Sequence, residues 1–266
     1  MDITRKNNIH VCGNTDAFQT IVFSHGFGID QTSFSAVVPS FEKDYKIVLF
    51  DNVGGGKADI TAFSPKRYEG LSGYVTDLAD IIQQLSLEHI TYVGHSVSGI
   101  VGVKASIQYP GLIDKLILLG SSPRYLNDPE SGYIGGFDKH ALNDLFAAME
   151  NNYHAWAIGF SKLTMRNEDR PELAAAFAAT LEAIRPDIAI LVAKAIFYLD
   201  CRQDLEKVTI PTLVVQTAED IAVPPDVSEY LEAHIPNSRR TKVQTHGHFP
   251  HISAPREVVA AIASFL

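Results

Sequence analysis

Short apolar runs alternate along this chain with longer segments whose apolar residues recur at helical spacing. Five runs are apolar at nearly every position, as is typical of parallel strands buried on both faces, and a sixth is weaker. The five are residues 21–24, 46–50, 90–93, 116–119 and 212–216, and the weaker run is 241–244. Helical spacing marks residues 74–85, 97–109 and 258–266. This alternation predicts an α/β fold with a doubly wound, mostly parallel sheet.

The middle of the chain departs from this alternation. Residues 124–207 are poor in strand patterns and show helical spacing at 140–151, 172–184 and 188–199. A chain of 266 residues can bury one large core, and α/β folds of this size usually form one domain. We therefore predict a single core built from residues 1–123 and 208–266, with residues 124–207 inserted as a helical lid.

Charge and cysteine content exclude several classes of function. The formal net charge is −9 without a basic cluster, so nucleic acid would be repelled and is not an expected partner. Two cysteines provide neither a disulfide framework nor a zinc-binding quartet, which fits a reducing cytoplasm. The first eight residues lack the apolar run of a signal peptide, and no stretch of about 18 apolar residues occurs. We expect a cytoplasmic protein without a membrane partner.

Ser96 lies where the strand pattern of residues 90–93 gives way to the helical pattern of 97–109. A serine at a sharp strand-to-helix turn projects its hydroxyl away from the backbone, beside the N–H groups of the new helix. A nucleophile of acyl transfer needs this arrangement. The common pattern is G-x-S-x-G, but Ser98 stands at the second glycine position here and Gly99 follows it. Taken alone, Ser96 could also be a helix N-cap, which is the less favoured alternative.

An acid and a base are expected at the carboxyl ends of later strands, because ligands of open α/β sheets bind there. Asp220 is our choice of acid and Glu219 is its rival, since adjacent positions fit either assignment. His246, His248 and His251 follow the last strand pattern, and one of them is expected to be the base. Turn residues break any helical register between them, so we predict no metal site. The order serine, acid, histidine is the order of α/β-hydrolases.

Two glycine-containing loops follow the first two strand patterns. In His25-Gly26-Phe27-Gly28 the glycines leave the Phe27 N–H free to complete an oxyanion hole with the Val97 N–H, although a plain glycine turn fits as well. The loop at residues 51–57 lacks both the third glycine of a dinucleotide site and the Ser/Thr of a nucleotide loop. We interpret it as a structural turn and expect no cofactor.

Together these stretches resemble one family of α/β-hydrolases, which contains the bacterial stress-response regulator RsbQ and the plant strigolactone and karrikin receptors. The resemblance runs from about residue 8 to the end and rests on residues 25–28 with 30–31, 94–98, 122–128, 135–137 and 247–251. It implies the α/β-hydrolase fold with Ser96 as nucleophile, His248 as base and Asp220 as the orienting acid. It also implies Phe27 and Val97 as oxyanion donors.

Large aromatic residues of the predicted lid suggest the kind of substrate. We expect some of them to line an apolar cavity above the sheet, although aromatic residues at helical spacing also serve plain packing. The resemblance favours three of them, Phe137, Phe160 and Phe197, and the full set is Tyr125, Phe137, Trp156, Phe160 and Phe197. Such a cavity suits a small hydrophobic ester or lactone rather than a peptide or polysaccharide.

Two functions use this same set of residues. The first is a serine hydrolase of the RsbQ and strigolactone-receptor type that cleaves a small hydrophobic ester or lactone. The second is a ligand-sensing signalling module, such as a stress-response regulator, whose lid engages a protein partner and whose hydrolysis is slow or incidental. A haloalkane- or epoxide-opening hydrolase is discarded, because that chemistry requires a carboxylate where Ser96 stands.

Overall fold

A computed structural model describes residues 2–266 and contains one seven-stranded sheet. The strands lie side by side in the order β1-β3-β2-β4-β5-β6-β7. Only β1 is antiparallel to its neighbour β3, and all other neighbouring strands are parallel. The strands are β1 (His10–Gly13), β2 (Thr20–Ser24), β3 (Lys46–Phe50), β4 (Ile90–His95), β5 (Lys115–Leu119), β6 (Thr212–Glu219) and β7 (Ser238–His246).

Helices cover both faces of the sheet and its carboxyl edge. The α-helices are α1 (Ile3–Lys6), α2 (Pro65–Tyr68), α3 (Ser72–Gln84), α4 (Val97–Gln108), α5 (Lys139–Asn151), α6 (Tyr153–Met165), α7 (Pro171–Glu182), α8 (Pro186–Phe197), α9 (Pro225–His234), α10 (Pro250–Ser253) and α11 (Pro255–Ala263). Short 3-10 helices lie at Gln31–Phe34, Val38–Ser40, Ile60–Ala62 and Arg202–Lys207. No helix within residues 2–266 has both the length and the apolar character needed to cross a membrane.

The predicted doubly wound α/β architecture is confirmed, and all six predicted strands lie inside observed ones. Six strands or α-helices had no counterpart among the predicted ones: β1, α1, α2, α6, α9 and α10. β1 is a short edge strand whose residues are mostly exposed, so it lacks the apolar run that marks a buried strand. In α6 the apolar residues spread around the helix instead of forming a single stripe, which hides the helical period.

Alternating side chains of the strands build a core on each side of the sheet. Ile21 and Phe23 of β2 point to the face covered by α11, where they pack with Val258 and Ile262. Val22, between them, points to the opposite face, which α3 and α4 cover. Because successive residues of a strand face opposite ways, strands that are apolar throughout supply both cores at once.

Four helices, α5 to α8, are inserted between β5 and β6 and lie over the carboxyl edge of the sheet. They are bonded to loops of that edge at several points. The Thr180 hydroxyl of α7 donates to the Gly28 carbonyl at 2.6 Å, and the His248 N–H donates to the Thr164 carbonyl of α6 at 2.8 Å. Any chemistry at this edge therefore takes place beneath the inserted helices.

Candidate active site

Ser96 occupies a strained turn between β4 and α4. Its backbone has φ 56° and ψ −126°, a positive-φ conformation that costs a non-glycine residue free energy and is concentrated at functional sites. The turn is so tight that strand and helix nearly touch: a Cβ atom on Gly94 would lie 2.5 Å from the backbone nitrogen of Gly99. Glycine at position 94 therefore permits the turn that exposes the Ser96 hydroxyl.

Ser98 occupies the place where the common pattern has its second glycine. Its side chain is buried, and its hydroxyl donates to the His25 carbonyl at 2.5 Å while accepting from the Asn52 side chain at 3.2 Å. Asn52 also donates to the His25 carbonyl at 2.9 Å. Serine in place of the second glycine thus adds a hydrogen bond between the serine turn and the loop after β2.

Ser96, His248 and Asp220 form one continuous hydrogen-bonded relay. The His248 Nδ1–H donates to the Asp220 carboxylate at 2.7 Å, and the Ser96 hydroxyl donates to His248 Nε2 at 2.8 Å. A carboxylate only accepts, so it selects the tautomer that leaves Nε2 free to take a proton. The other Asp220 oxygen accepts from the backbone N–H groups of Ala222 and Val223, which hold the carboxylate in place.

Glu219, the rival acid, points away from this relay. Its side chain is 56% exposed and forms ion pairs with His246 at 3.2 Å and Arg166 at 3.8 Å. The pairing of β6 with β7 shifts register between Thr217 and Glu219, and such a bulge redirects the residues that follow it. The structure thus separates the two neighbouring carboxylates and brings Asp220 alone to the histidine.

The remaining histidines of this region lie outside the relay. His246 is exposed beside Glu219, whereas His251 is fully buried and stacks on Phe34 with ring centroids 4.7 Å apart. His95, which precedes Ser96 in the chain, is fully buried and its Nε2–H donates to the His248 carbonyl at 2.8 Å. His95 therefore holds the backbone of the histidine that contacts Ser96, a link that sequence spacing did not reveal.

The loop after β2 and the start of α4 carry free N–H groups beside Ser96. Within residues 2–266, no acceptor takes the N–H of Phe27 or of Val97. A Cβ atom on Gly26 would lie 2.6 Å from the His95 ring and 2.9 Å from the Ser96 Cβ, so glycine lets the loop approach the serine turn. The first N–H groups of a helix lack intrahelical partners, and Val97 supplies one of them because it is the first residue of α4.

Tyr125 reaches the Ser96 hydroxyl directly. Its hydroxyl lies 3.3 Å from the Ser96 Oγ, and because Ser96 donates its own proton to His248, Tyr125 is the donor in this pair. Burial raises the pKa of Tyr125 far above its ordinary value, so the phenol keeps its proton. The sequence predicted Tyr125 only as a wall residue, since nothing in its spacing indicated contact with a serine 29 positions earlier.

The Ser96 hydroxyl borders a small cavity of about 30 Å³ beneath the inserted helices. Such a volume holds about two water molecules, since one needs roughly 10–15 Å³. The cavity is lined mainly by apolar side chains, including four that were not predicted from the sequence: Phe177, Ile196, Ala222 and Phe249. Its remaining lining residues are Phe27, Ser96, Tyr125, Phe160, Thr164, Phe197 and His248.

Two predicted wall residues do not line this cavity. Phe137 packs behind Tyr125 and Phe197, with ring centroids 6.5 and 5.3 Å away. Trp156 stacks on the outer side of Phe160 at 4.9 Å. Both aromatic rings form a second layer, because the ring in front of each one already fills the position against the cavity. Tyr125, Phe160 and Phe197 do reach its surface.

The turn at residues 51–57 is built around the buried carboxylate of Asp51. Asp51 accepts hydrogen bonds from the backbone N–H groups of Gln31 and Lys57 and from the side chain of Asn8. These donors belong to the chain itself, so the carboxylate serves the fold. Across residues 2–266, no three side chains from His, Cys, Asp or Glu are grouped as ligands for a metal ion.

Buried neutral histidines make stability depend on pH. Burial, followed by the nearby charges of His248 and His25, lowers the pKa of His251 to about 3, and burial also lowers the pKa of His95 well below its ordinary value. The unfolded chain protonates these groups near pH 6.5, so it binds more protons than the folded chain below that value. The contribution of these two neutral histidines to the free energy of unfolding is therefore fully present above pH 6.5, and it is lost as the pH falls toward 3.

We expect this loss to reach about 2–3 kcal/mol for His251 alone at pH 4.5, because each pH unit below 6.5 costs about 1.4 kcal/mol. Urea unfolding at pH 7.0 and 4.5 measures it. His251→Leu removes the titrating group and should reduce the difference between the two pH values. His140→Asn, at an exposed position, is the matched control and should leave that difference unchanged. Equal differences in all three proteins would refute this origin of the acid sensitivity.

A strand-turn-helix serine, a histidine after the last strand and a carboxylate after the strand before it define a hydrolase of the α/β type. The chain belongs to the α/β-hydrolase fold family, whose family model matches residues 19–255. The solved structure of a hydrolase from Oleispira antarctica superposes with a TM-score of 0.95 and 33% identity, covering 99% of this chain and 96% of that one.

Proteins similar in sequence to this chain include a named esterase and a named receptor. Strigolactone esterase D14 of Arabidopsis thaliana is 41% identical over 260 residues, 97% of this chain and 94% of the relative. Karrikin insensitive 2 receptor CA of Petunia hybrida is 39% identical over 261 residues, 98% and 95% of the two chains. The resemblance to the plant receptor group is thereby confirmed, and the chain is a hydrolase of the esterase type.

Proposed function

We propose that this protein hydrolyses a small hydrophobic ester or lactone through Ser96, His248 and Asp220. The observation that carries the proposal is the continuous relay of 2.8 and 2.7 Å from the Ser96 hydroxyl to the Asp220 carboxylate, beside an apolar cavity. A nucleophile bonded to a base, which is itself oriented by an acid, is the arrangement that activates a serine. The names of the esterase relatives agree with this reaction.

The reaction proceeds in two steps. In the first, His248 Nε2 accepts the Ser96 proton while Oγ attacks the substrate carbonyl carbon, and the Phe27 and Val97 N–H groups stabilise the oxyanion. The C–O bond to the alcohol breaks, His248 returns the proton to the leaving oxygen, and an acyl-serine remains. In the second step His248 takes a proton from water, whose oxygen attacks the acyl carbon. Ser96 is released with its proton restored, and the product is a carboxylic acid.

The cavity supports the substrate class. Apart from Ser96, His248, Thr164 and the Tyr125 hydroxyl, its lining is apolar, so a substrate gains free energy chiefly by burying hydrophobic surface. The site lies under helices rather than in an open groove, which disfavours a peptide or polysaccharide. An ester or lactone of even modest size exceeds about 30 Å³, so part of the wall must move to admit it.

Residues 124–207 are the part of the chain that we propose moves as a lid. The inserted helices α6, α7 and α8 supply Phe160, Phe177 and Phe197 to the cavity wall, so displacement of these helices would enlarge the cavity. The same displacement supports a second candidate function, in which the lid signals occupancy to a protein partner. The receptor names of relatives at about 40% identity favour this candidate, and slow hydrolysis would accompany it.

One experiment tests the proposed function and separates the two candidates. Turnover of p-nitrophenyl butyrate is measured, and hydrogen exchange of residues 138–199 is followed before and after acylation by a fluorophosphonate. A metabolic esterase is expected to turn over at about 10 per second, the median for enzymes, with little change in exchange. Turnover well below this rate, with altered exchange in the lid, would favour the signalling candidate. Absence of both turnover and acylation would refute the proposed hydrolase.

A further inference from the structure

A second cavity lies behind the predicted oxyanion loop. It has a volume of about 40 Å³ and shares two wall residues, Phe27 and Ile196, with the cavity beside Ser96. Its own lining includes Val97, Val101, Val192 and Ala195, and we call it the inner cavity. The two cavities are therefore neighbours, separated by the side chains of Phe27 and Ile196.

The inner cavity is apolar because its polar side chains are already paired. Asn52 donates to the His25 carbonyl and to the Ser98 hydroxyl, at 2.9 and 3.2 Å. The Tyr74 hydroxyl donates to the Val53 carbonyl at 3.3 Å. A ligand that entered would find no unpaired charged side chain among these residues, so hydrophobic burial would drive its binding.

The wall between the cavities consists of the side chains of Phe27 and Ile196. Ile196 is buried, whereas Phe27 is only half-buried and is therefore the less tightly packed of the two. On the other side, α8 presents Val192, Ala195 and Ile196 to the inner cavity at the i, i+3, i+4 spacing of one helix face. Among these, Val192 and Ala195 are also half-buried, so neither is completely covered by neighbouring side chains.

We propose that the inner cavity is a second substrate subsite, which receives the apolar acyl substituent of the ester or lactone. This inference rests on the proposed function. Phe27 and Val97, whose N–H groups would bind the oxygen of the acyl carbonyl, both border the inner cavity. The acyl carbonyl would therefore lie next to that cavity. The acyl chain reaches it when Phe27 or Ile196 turns aside, while the leaving alcohol stays in the cavity beside His248.

The test is a change in acyl-chain preference, measured as the ratio of kcat/KM for p-nitrophenyl hexanoate to kcat/KM for p-nitrophenyl acetate. Val192→Phe fills the inner cavity and should lower this ratio about tenfold or more, because the longer chain loses its apolar site. Ile196→Ala joins the two cavities and should raise the ratio. Leu163→Phe adds a ring to an exposed position of α6 and is the matched control, whose ratio should equal that of the wild type.

The outcomes separate this inference from the proposed function. An unchanged ratio in Val192→Phe, in protein that still reacts with a fluorophosphonate, would overturn the subsite. Should Val192→Phe fail to fold, an unchanged ratio in Ile196→Ala would overturn it equally. If the wild-type protein hydrolyses neither ester and takes no fluorophosphonate, the proposed function itself has failed, whatever the variants do.

Discussion

Replacing Ser96 by alanine is expected to lower kcat for p-nitrophenyl butyrate by about a thousandfold or more, as when a catalytic triad loses its nucleophile. The hydroxyl donates to His248 Nε2 at 2.8 Å and accepts from Tyr125 at 3.3 Å, and no other residue occupies this place. Without it the acyl-serine cannot form. The Phe27 and Val97 N–H groups and the cavity would remain in Ser96→Ala, so this variant should still bind substrate with little change in affinity.

Labelling by a fluorophosphonate provides the direct measurement. Wild-type protein should take one label per chain at Ser96, and Ser96→Ala should take none, because only a hydroxyl beside a base reacts quickly. Ser161→Ala is the matched control: this serine is also fully buried, but it lies on α6 outside the relay. Full activity or full labelling in Ser96→Ala would remove Ser96 as the nucleophile.

Changing the acid is expected to be nearly as damaging as removing the nucleophile. Asp220→Asn should lower kcat by about ten thousandfold, because an amide at this position can donate to Nδ1 and so stabilises the wrong imidazole tautomer. The Ala222 and Val223 N–H groups would still accommodate the side-chain oxygen, so the fold should persist. His248→Ala should lower kcat about a thousandfold or more, since no base then remains beside Ser96.

The chain contains a matched control for each of these two changes. Glu219→Gln alters the neighbouring carboxylate, which is exposed and paired with His246, and His246→Ala removes that partner. Both should change kcat by less than about tenfold, because neither side chain touches the relay. A larger loss in Glu219→Gln than in Asp220→Asn would transfer the role of the acid to Glu219.

The buried strands of the sheet could be predicted from the sequence, whereas the edge strand β1 and helix α6 could not. Strands such as Ile90–His95 are buried on both faces, so their apolar runs are a strong and local signal. β1 gave no such signal, because an exposed edge strand is specified by its pairing with β3 rather than by its own hydrophobicity. Helix α6 gave no clear signal either. It packs against α7 and the site, so its buried residues do not form one apolar stripe.

Residue identity and order along the chain were enough to show which residue types could carry the chemistry. A small-residue turn around Ser96 and a later Ser-acid-His order depend on backbone sterics and chain order, and both are visible without coordinates. The aromatic content of the inserted segment likewise indicated an apolar site. The turn and the aromatic content are local features, whereas the Ser-acid-His order needs only the sequence of the candidate residues along the chain.

The packing of distant segments was needed to choose between alternatives that lie close together in the chain. Asp220 rather than Glu219 meets His248 because a register shift between β6 and β7 redirects the strand end. Tyr125 reaches Ser96, while Phe137 and Trp156 fall into a second layer behind other rings. These outcomes depend on distances between segments far apart in sequence, set by how whole elements pack, and no local pattern of residues contains that information.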